Sequence, residues 1–460
     1  MAVKPRVPVR EQPVEQRIHN FDSVPYGYSE EEAIAEAQRC IQCPDPTCEA
    51  GCPVNIKIKD MIRLIRERKF EESYRLVKKD NAFPACTGRV CPQEDQCEGV
   101  CILAKVGQPI NIGKLEAFVA DWAREHNVEE DKVSSSKPQK VAVIGSGPAG
   151  LACAAELRKF GYQVTMFETL HKPGGVLVYG IPNFRLPKEI VQHEIDYLEE
   201  IGVEIKLNIT IGQNISFDEL REQYDAIFLG TGAGAPQFMG IEGEKLNGVY
   251  SANEFLIRAN LMKSYLFPEW DTPIVVGKKV GVIGAGNVAM DAARTALRLG
   301  AEEVSIIYRR TMEYSPARDE EIEHAREEGI IFRELINPVR IVDDGKGWVK
   351  GIEVVKMELG EKDSSGRPRP VPIKGSEYII ELDTVIEALG TVPNRLFLSR
   401  TPGLKTDKKG VIIVDDKLMT SIEGVFGGGD AISGAATVIK ALGEGKRAAE
   451  FIRDYLESKK

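Results

Sequence analysis

A glycine turn between an apolar strand and a helix is the feature that most restricts how this chain folds. The segment KVAVIGSGPAGLACAAELRKFGYQVTMFE, residues 140–168, reads as strand, turn, helix and second strand. Gly145 permits the tight turn, Gly147 lets backbone approach a pyrophosphate, and Gly150 lets the helix pack closely on the strand. Glu168 ends the second strand, where an acid accepts hydrogen bonds from ribose hydroxyls. The segment therefore predicts a dinucleotide site. The helix opens at that site with Pro148, Ala149 and Gly150.

A second unit of the same kind occupies residues 278–310, and its turn follows the pattern GxGxxA. The residues predicted to contact a nucleotide there are Gly284, Gly286, Asn287 and Val288. When the two second strands are aligned, Tyr308 stands where Glu168 stood, and Arg309 and Arg310 follow it. Guanidinium groups bind a 2′-phosphate bidentately, whereas an acid repels it. The second site is therefore predicted to prefer NADP(H).

Two further glycine-rich segments are expected to complete the first site. Gly175 lies among turn-forming residues and would allow backbone to come close to a flat ring. Near the C-terminus a strand leads to Gly429 and Asp430, and this aspartate would bond ribityl hydroxyls or a phosphate-bound water. The next helix is expected to begin with Ala436, Thr437 and Val438. Its positive end would stabilise negative charge on a reduced flavin ring. The alternative for each segment is an ordinary turn.

Eight of the nine cysteines fall in two groups between residues 40 and 101. The first group, CIQCPDPTCEAGCP, is close to the ferredoxin run C-x2-C-x2-C-x3-C-P, in which three thiolates hold one cluster and the fourth reaches another. The second group is CTGRVCPQEDQCEGVC, residues 86–101. Structural zinc is the alternative, because four thiolates also bind zinc. Iron-sulfur clusters are preferred, because they would exchange electrons with a redox nucleotide fold.

The composition argues against two classes of protein. A net charge of −10 leaves no broad basic surface to neutralise nucleic-acid phosphates. No apolar run reaches the roughly 18 residues that a membrane helix requires, and the segment MAVKPRVPVREQ has no apolar stretch of an export signal. We therefore expect a cytoplasmic protein that binds neither nucleic acid nor membrane.

We predict an α/β fold with two Rossmann-like dinucleotide-binding domains, one inserted in the other, preceded by an α-helical double 4Fe-4S cluster domain. The linker SSSKPQK, residues 134–140, marks the first boundary. The predicted limits are 1–137 for the iron-sulfur domain, 138–265 and 390–460 for the FAD-binding domain, and 266–389 for the inserted NADP(H)-binding domain.

The order of these motifs resembles one family of iron-sulfur flavoproteins over nearly the whole chain. Its members include the glutamate synthase small subunit, the large subunit of NADH-dependent ferredoxin:NADP oxidoreductase and the N-terminal part of dihydropyrimidine dehydrogenase. The resemblance implies FAD at the first glycine turn and Asp430, NADP(H) at the second turn, and two 4Fe-4S clusters in the N-terminal domain.

The resemblance also implies the cluster ligands. In dihydropyrimidine dehydrogenase the last ligand of one cluster is a glutamine in a segment like INIGKLE, and this chain has Glu116 at that position. One set would then be Cys40, Cys43, Cys48 and Cys101, and the other Cys52, Cys91, Cys97 and Glu116. A count of thiols alone would choose Cys86 in place of Glu116.

The activity that the resemblance implies is hydride transfer between NADP(H) and FAD, with single electrons passing through the clusters and no catalytic acid or base. The favoured assignment is the large subunit of an electron-bifurcating NADH-dependent ferredoxin:NADP oxidoreductase. Its partners would be ferredoxin and a smaller FAD/2Fe-2S subunit that reduces NAD. The alternative is the small subunit of NADPH-dependent glutamate synthase, which delivers electrons to a large FMN subunit. A noncatalytic electron-transfer or assembly scaffold is a hypothesis of a different class.

Overall fold

A computed structural model describes residues 4–130, 133, 137–363 and 366–459 of this chain. Residues 134–136 of the predicted linker lie outside the described residues. The chain forms a helical N-terminal domain and two domains that each contain a five-stranded sheet. Within the described ranges no helix is both long enough and apolar enough to cross a membrane.

The N-terminal domain is mainly helical, because its apolar residues recur at helical spacing. In the fourth helix Ile58, Met61 and Ile65 lie on one buried face. Ser29 begins the second helix by accepting a hydrogen bond from the backbone N–H of Glu32, whose carboxylate bonds back in a capping box. The elements are β1 (Arg10–Glu11), α1 (Val14–Arg17), β2 (Pro25–Gly27), α2 (Glu30–Ala37), α3 (Thr47–Ala50), α4 (Ile58–Arg66), α5 (Phe70–Asp80), α6 (Pro84–Val90) and α7 (Ile112–Glu125).

The chain then alternates strands and helices, as a parallel sheet requires. The elements up to the first crossing between domains are β3 (Lys140–Ile144), α8 (Pro148–Lys159), β4 (Gln163–Phe167), α9 (Val176–Tyr179), α10 (Lys188–Glu200), β5 (Glu204–Lys206), α11 (Phe217–Gln223), β6 (Ala226–Leu229) and β7 (Ala235–Pro236). The buried strands β3 and β6 are continuous apolar runs, which is typical of strands covered on both faces.

The inserted domain repeats this pattern and adds antiparallel strands. Its elements are β8 (Val249–Ser251), α12 (Ala252–Asn260), β9 (Lys279–Ile283), α13 (Asn287–Arg298), β10 (Glu303–Tyr308), α14 (Asp319–Glu327), β11 (Ile331–Glu334), β12 (Ile336–Asp343), β13 (Val349–Lys362), β14 (Pro368–Pro372), β15 (Tyr378–Glu381) and β16 (Thr384–Glu387). The return to the first sheet comprises β17 (Thr391–Val392), α15 (Arg395–Ser399), β18 (Val425–Gly427), α16 (Asp430–Ser433) and α17 (Val438–Ser458).

Each glycine motif lies at the carboxyl end of the central strand of a parallel sheet. The first sheet has the order β18-β6-β3-β4-β5 and the second β11-β10-β9-β16-β8. The chain passes between the two domains at β7 and again at β17, and these two strands pair with each other. In open parallel sheets such strand ends bind ligands where the strand order reverses. The topology therefore gives the chain two ligand clefts.

The inserted domain begins earlier than predicted. Strand β8 pairs in parallel with β16, so Val249–Ser251 belongs to the second sheet and not to the first. It lies outside the predicted limits 266–389. The difference has a physical cause, because a three-residue strand carries too little periodicity to reveal its partner.

Buried ion pairs fix the inserted domain against the rest of the chain. Arg185 of the first Rossmann-like domain pairs with Asp291 on α13 at 2.7 Å. Arg17 of the N-terminal domain pairs with Glu328 at 3.0 Å, and these two side chains are 2% and 0% exposed. Breaking a buried ion pair leaves an unpaired charge in the interior, which lowers the free energy of unfolding by about 3–5 kcal/mol. The pairs therefore oppose rotation of the inserted domain.

Candidate functional site

The first turn, residues 145–150, has the backbone shape that a pyrophosphate requires. Gly145 has a φ of +95°, and a Cβ there would lie 2.4 Å from the carbonyl oxygen of Gly230. A Cβ on Gly150 would lie 1.9 Å from the carbonyl oxygen of Gly145, whereas one on Gly147 would meet nothing within 4 Å. Helix α8 starts after Gly147, Pro148 is its first residue, and no side chain caps it. Its first N–H groups are therefore available to a phosphate.

Glu168 stands at the end of β4 and organises the first turn. Its carboxylate accepts hydrogen bonds from the backbone N–H groups of Ser146 at 3.0 Å and Leu170 at 2.8 Å. The Ser146 hydroxyl also donates to this carboxylate and accepts from the backbone N–H of Gly174 at 3.0 Å. Sequence reasoning missed Ser146, although its place between two motif glycines was a signal.

Two distant loops close on the first turn. Gly175 has a φ of +54°, and a Cβ there would lie 2.7 Å from Cα of Gly147. Gly429 has a φ of +67°, and a Cβ there would lie 2.8 Å from Cβ of Ala149. Only glycine allows this approach at a positive φ. The structure thus brings the predicted residues of three segments together.

The segment after Gly429 supplies the acidic side of the same cleft. The Asp430 carboxylate accepts a hydrogen bond from the backbone N–H of Ala436 at 3.1 Å. Burial raises the pKa of Asp430 to about 6. Helix α17 begins at Val438, and the Thr437 hydroxyl caps it. The three residues predicted at this helix start are therefore adjacent to Asp430.

Tyr179 is a further residue of the first cleft that the sequence did not reveal. Burial, together with the charges of Glu168 and Asp430, raises its pKa to about 12. Its hydroxyl lies 3.8 Å from the position of a Cβ on Gly234. The phenol therefore lies near both acidic residues of the predicted flavin site.

The second turn, residues 284–289, repeats the geometry in the inserted domain. Gly284 has a φ of +119°, and a Cβ there would lie 2.4 Å from the carbonyl oxygen of Ala388. Helix α13 begins at Asn287 without a side-chain cap, and Val288 is exposed. The Asn287 side-chain oxygen accepts a hydrogen bond from the backbone N–H of Arg318 at 3.0 Å.

The two arginines after β10 have different environments. Arg309 is exposed and makes no ion pair with a residue that the structure describes. Arg310 is 4% exposed, donates to the carbonyl oxygen of Pro368 at 2.8 Å, and pairs with Asp363 at 2.8 Å. Arg309 alone therefore has a guanidinium available to a 2′-phosphate without breaking a buried contact.

Four thiols, called here the outer set, line one cavity near the surface of the N-terminal domain. They are Cys40, Cys43, Cys48 and Cys101. The other walls are mainly apolar and include Ile62, Leu103 and Ile110. Burial, together with the nearby Cys101 and Cys40, raises the pKa of Cys48 to about 12. Neutral thiols in such a cavity need a metal centre to become thiolates.

Three thiols and one carboxylate, called here the inner set, lie deeper in the domain. They are Cys52, Cys91, Cys97 and Glu116. Burial raises the pKa of all three thiols, and the neighbouring Glu116 raises each of them further. Asn81 and Thr87 donate to one oxygen of Glu116, at 2.8 and 2.6 Å, and leave the other oxygen without a hydrogen bond from any described residue. That oxygen is available to iron.

Cys86 does not face the inner set. Burial raises its pKa well above the usual value, and the charged group that acts on it most strongly is Glu194. Glu194 accepts hydrogen bonds from the backbone N–H groups of Ala85 at 2.8 Å and Cys86 at 3.2 Å. The Cys86 thiol is therefore held at the junction of α6 and α10.

The spacing of the thiols disfavours zinc. Zinc–sulfur bonds of about 2.3 Å put the thiolates of one zinc site roughly 3.8 Å apart. In the described residues, the only group of three potential ligand atoms within 4.8 Å of one another is Glu11, His324 and Glu327, which contains no cysteine. Both sets are thus wider than a single ion requires, as a four-iron cluster is.

The inner set lies against the first Rossmann-like domain. Pro53, the residue after Cys52, meets α17 at Gly443, where a Cβ would lie 3.1 Å from the Pro53 carbonyl oxygen. Helix α17 in turn packs on α8, since a Cβ on Gly445 would lie 2.1 Å from the carbonyl oxygen of Ala149. The inner set and the first turn are therefore joined through one helix.

Comparison with known proteins decides the family. Residues 17–128 match the family described as dihydropyrimidine dehydrogenase domain II, 4Fe-4S cluster, and residues 139–445 match the pyridine nucleotide-disulphide oxidoreductases. The glutamate synthase (NADPH) small chain of Escherichia coli K12 is 38% identical over 460 residues, which cover 98% of this chain and 97% of that one. The chain belongs to the glutamate synthase small-chain family.

One larger relative and one solved structure also match this chain. The beta subunit of the NADP(+)-dependent formate dehydrogenase of Moorella thermoacetica is 39% identical over 89% of this chain and 60% of its own length. The structure of FprA from Mycobacterium tuberculosis in complex with NADPH matches 70% of this chain and 85% of its own, with a TM-score of 0.59 and 22% identity. That structural match shows the fold.

Membership of the small-chain family confirms the predicted class of enzyme. The chain is an NADPH-dependent flavin oxidoreductase, and its cofactors are FAD, NADP(H) and 4Fe-4S clusters. The geometry fits them, because both turns keep free helix N-termini and both ligand sets are too wide for one ion. The predicted α/β fold behind an iron-sulfur domain is likewise confirmed.

Proposed function

We propose that this chain oxidises NADPH and passes the electrons singly, through two 4Fe-4S clusters, to a partner protein. When bound, FAD would supply hydride acceptance and release of single electrons, and the clusters would supply one-electron transfer. The observation that supports the proposal is the contact of Pro53, the residue after Cys52, with α17, which packs on the first turn. The chain's own contribution is to hold these centres next to one another.

We assign the clusters to the outer set and the inner set. The outer set would hold one cluster with Cys40, Cys43, Cys48 and Cys101, and the inner set the other with Cys52, Cys91, Cys97 and Glu116. The hydrogen bonds from Asn81 and Thr87 orient the Glu116 carboxylate with its second oxygen unoccupied. Such supporting contacts fix a ligand's direction and tune the metal centre.

A matched pair of variants tests the inner set. Glu116→Ala is expected to lose or alter one of two cluster signals in electron paramagnetic resonance of the dithionite-reduced protein. Cys86→Ala is expected to keep both signals, because Cys86 faces Glu194. Loss of a cluster in Cys86→Ala with full retention in Glu116→Ala would mean that the thiol is the ligand.

We assign FAD and NADP(H) to the two turns. FAD would bind along Gly145, Gly147 and Gly150 with Glu168 and Asp430, and NADP(H) along Gly284, Gly286 and Asn287 with Arg309. Arg310 would support Arg309 by anchoring the end of β10 to Asp363. Stoichiometric FAD in the purified protein and loss of flavin absorbance on addition of NADPH would support these roles. A protein that binds FAD but is not reduced by NADPH would contradict them.

Two partners fit an NADPH-oxidising subunit. The bifurcating assignment, with ferredoxin and a smaller FAD/2Fe-2S subunit, accords with the exposed apolar residues beside the outer set. Among them Ile41 is 59% exposed and Ile102 is 38% exposed. The glutamate synthase assignment, with a large FMN subunit, is supported by the match to nearly the full length of the small chain.

Co-purification from the native host distinguishes the two assignments. A small FAD/2Fe-2S protein in the complex, together with NADPH-driven reduction of ferredoxin that requires NAD, would support bifurcation. A very large FMN protein, together with glutamate formation from glutamine and 2-oxoglutarate, would support the glutamate synthase role. Either complex would contradict the other assignment and leave the electron path through this chain intact.

A further inference from the structure

Arg318 links the second turn to the inner set. It precedes α14, and only 7% of its surface is exposed. Its backbone N–H donates to the side-chain oxygen of Asn287 at 3.0 Å, and Asn287 is the first residue of α13. One end of this residue is therefore attached to the predicted nucleotide site.

The other end of Arg318 reaches the loop that carries Cys91. Its guanidinium donates to the side-chain oxygen of Gln93 at 2.8 Å and to the carbonyl oxygen of Arg89 at 3.0 Å. It also pairs with Glu94 at 3.3 Å and with Glu320 at 3.0 Å. Arg89 precedes Cys91 in the sequence, and Gln93 and Glu94 follow it, so one guanidinium contacts the ligand loop on both sides of Cys91.

The Arg318 charge also lies beside the ligand loop. Its guanidinium contacts Arg89 and Gln93, each of which is two residues away from Cys91 in the sequence. A buried positive charge favours negative charge nearby more strongly than a solvated one, because the surroundings screen it less. A cluster gains one negative charge when it is reduced, so Arg318 favours the reduced state.

We propose that Arg318 is a positioning residue that couples nucleotide occupancy of the second turn to reduction of the cluster at the inner set. The inference rests on the ligand assignment proposed above. A nucleotide in the second turn displaces Asn287. This displacement moves the Arg318 backbone, which is hydrogen-bonded to Asn287, and so changes the contacts of the Arg318 guanidinium with residues 89–94. Linkage then requires that reduction of the cluster change nucleotide affinity by the same factor.

The test is a redox titration of the holoprotein followed by electron paramagnetic resonance, with and without 2′-phospho-ADP-ribose. This probe carries the pyrophosphate and the 2′-phosphate but no redox-active ring. In the unaltered protein we expect the probe to disfavour reduction of the inner cluster about fivefold, the lower end of typical allosteric factors. At about 59 mV per tenfold change for one electron, that is a shift of about 40 mV.

Arg318→Met should lower the potential of the probe-free inner cluster and abolish the shift caused by the probe. Arg318→Lys keeps the charge but not the three-way contact, so its starting potential should stay near that of the unaltered protein while the shift shrinks. Arg17→Met is the matched control. It removes another contact between the N-terminal and inserted domains, and Glu328 keeps Arg294 and Arg298 as partners.

The outcomes separate this inference from the proposed function. An undiminished shift in both Arg318 variants, no shift in the unaltered protein, or an equal loss of the shift in Arg17→Met would overturn the role of Arg318. Where Arg318→Met does not fold, Arg318→Lys decides. Failure of the proposed function would instead show in the unaltered protein, as a missing second cluster or a flavin that NADPH does not reduce.

Discussion

The first turn and the second turn begin alike and are closed differently. In each turn the first motif glycine, Gly145 or Gly284, has a positive φ. A Cβ on this glycine would lie 2.4 Å from the carbonyl oxygen of the residue that follows the neighbouring strand, Gly230 or Ala388. Three residues after the second motif glycine, however, the first turn has Gly150 and the second has Ala289. The first helix therefore comes closer to its turn than the second helix can.

The elements around the two turns increase this difference. Gly175 and Gly429 bring the backbone of two loops to within 3 Å of the first turn, measured from their Cβ positions, whereas the loop that faces the second turn contacts it through the side chains of Ser315 and Pro316. A closed site suits a cofactor that stays bound, and an open one suits a nucleotide that exchanges at each turnover. The shared motif thus sets where a dinucleotide binds, and the distant loops set how tightly it is enclosed.

The largest effect is expected from replacing Gly150, which lets α8 pack closely against the first turn. Gly150→Ala would place a methyl group 1.9 Å from the carbonyl oxygen of Gly145, a backbone atom that cannot move aside. We expect a cost of about 4 kcal/mol or more and purification of the protein without FAD. Flavin absorbance per mole of protein measures the loss.

The matched control lies at the equivalent position of the second turn. Ala289→Gly adds no atoms and should cost about 1 kcal/mol, the usual cost of glycine in a helix interior. It should keep a full complement of FAD. Retention of FAD by Gly150→Ala would mean that the closer packing of the first turn is not what holds the cofactor.

The next largest effect is expected at the arginines that follow β10, Arg309 and Arg310. Arg309→Gln should raise the Kd for NADPH about 10- to 100-fold, because a hydrogen bond to a charged group contributes about 1.5–3 kcal/mol, and should leave the Kd for NADH unchanged. Arg310→Gln removes a buried contact to Asp363 and should lower the melting temperature more than it changes NADPH binding. Calorimetric titration with both nucleotides checks this, and an equal loss for NADPH and NADH would refute a phosphate contact at Arg309.

A smaller effect is expected at Asp430, which has no counterpart at the second turn. Burial raises its pKa from 3.8 to about 6, so the folded state holds the proton more tightly than the unfolded chain does. The free energy of unfolding of the FAD-free protein therefore falls as the pH rises from about 4 to about 6. Asp430→Asn should make this form about 3 kcal/mol more stable at pH 7.5 and about 1.5 kcal/mol more stable at pH 5.

FAD binding should offset the higher stability of Asp430→Asn. If the carboxylate bonds FAD, Asp430→Asn will bind FAD more weakly than the unaltered protein while its FAD-free form is more stable. Urea unfolding at the two pH values and flavin titration measure the two quantities. A variant whose stability shows the same pH dependence as the unaltered protein would mean that another group accounts for it.

The sequence was sufficient for both turns because each motif is local. Strand, glycines and helix follow one another within about 30 residues, and the structure places Gly145 and Gly284 at the predicted strand ends. The closing contacts of Gly175 and Gly429 arise from tertiary structure and depend on chain segments far apart in sequence. Residues 249–251 were placed within the limits of the FAD-binding domain for the same reason, because the pairing of β8 with β16 is a tertiary contact.

The two arginines show a signal that the sequence did contain. Side chains alternate between the two faces of an extended chain, and the buried Tyr308 is followed by the exposed Arg309 and the buried Arg310. Applying this alternation beyond the end of the strand would have separated the two guanidinium groups. The partner of Arg310, Asp363, lies more than 50 residues later and is fixed only by the fold.

The smallest effect tests whether the start of α17 belongs to the enclosure of the first turn. Thr437→Ala removes the hydroxyl that accepts from the backbone N–H of Lys440 at 3.3 Å, and should cost about 1 kcal/mol in unfolding free energy. Ser216→Ala removes an equivalent cap from α11 in the same domain and should cost about the same. Because α17 begins beside Asp430 and α11 does not, only Thr437→Ala should also weaken FAD binding. Equal FAD affinity in the two variants would restrict the enclosure of the first turn to Gly175 and Gly429.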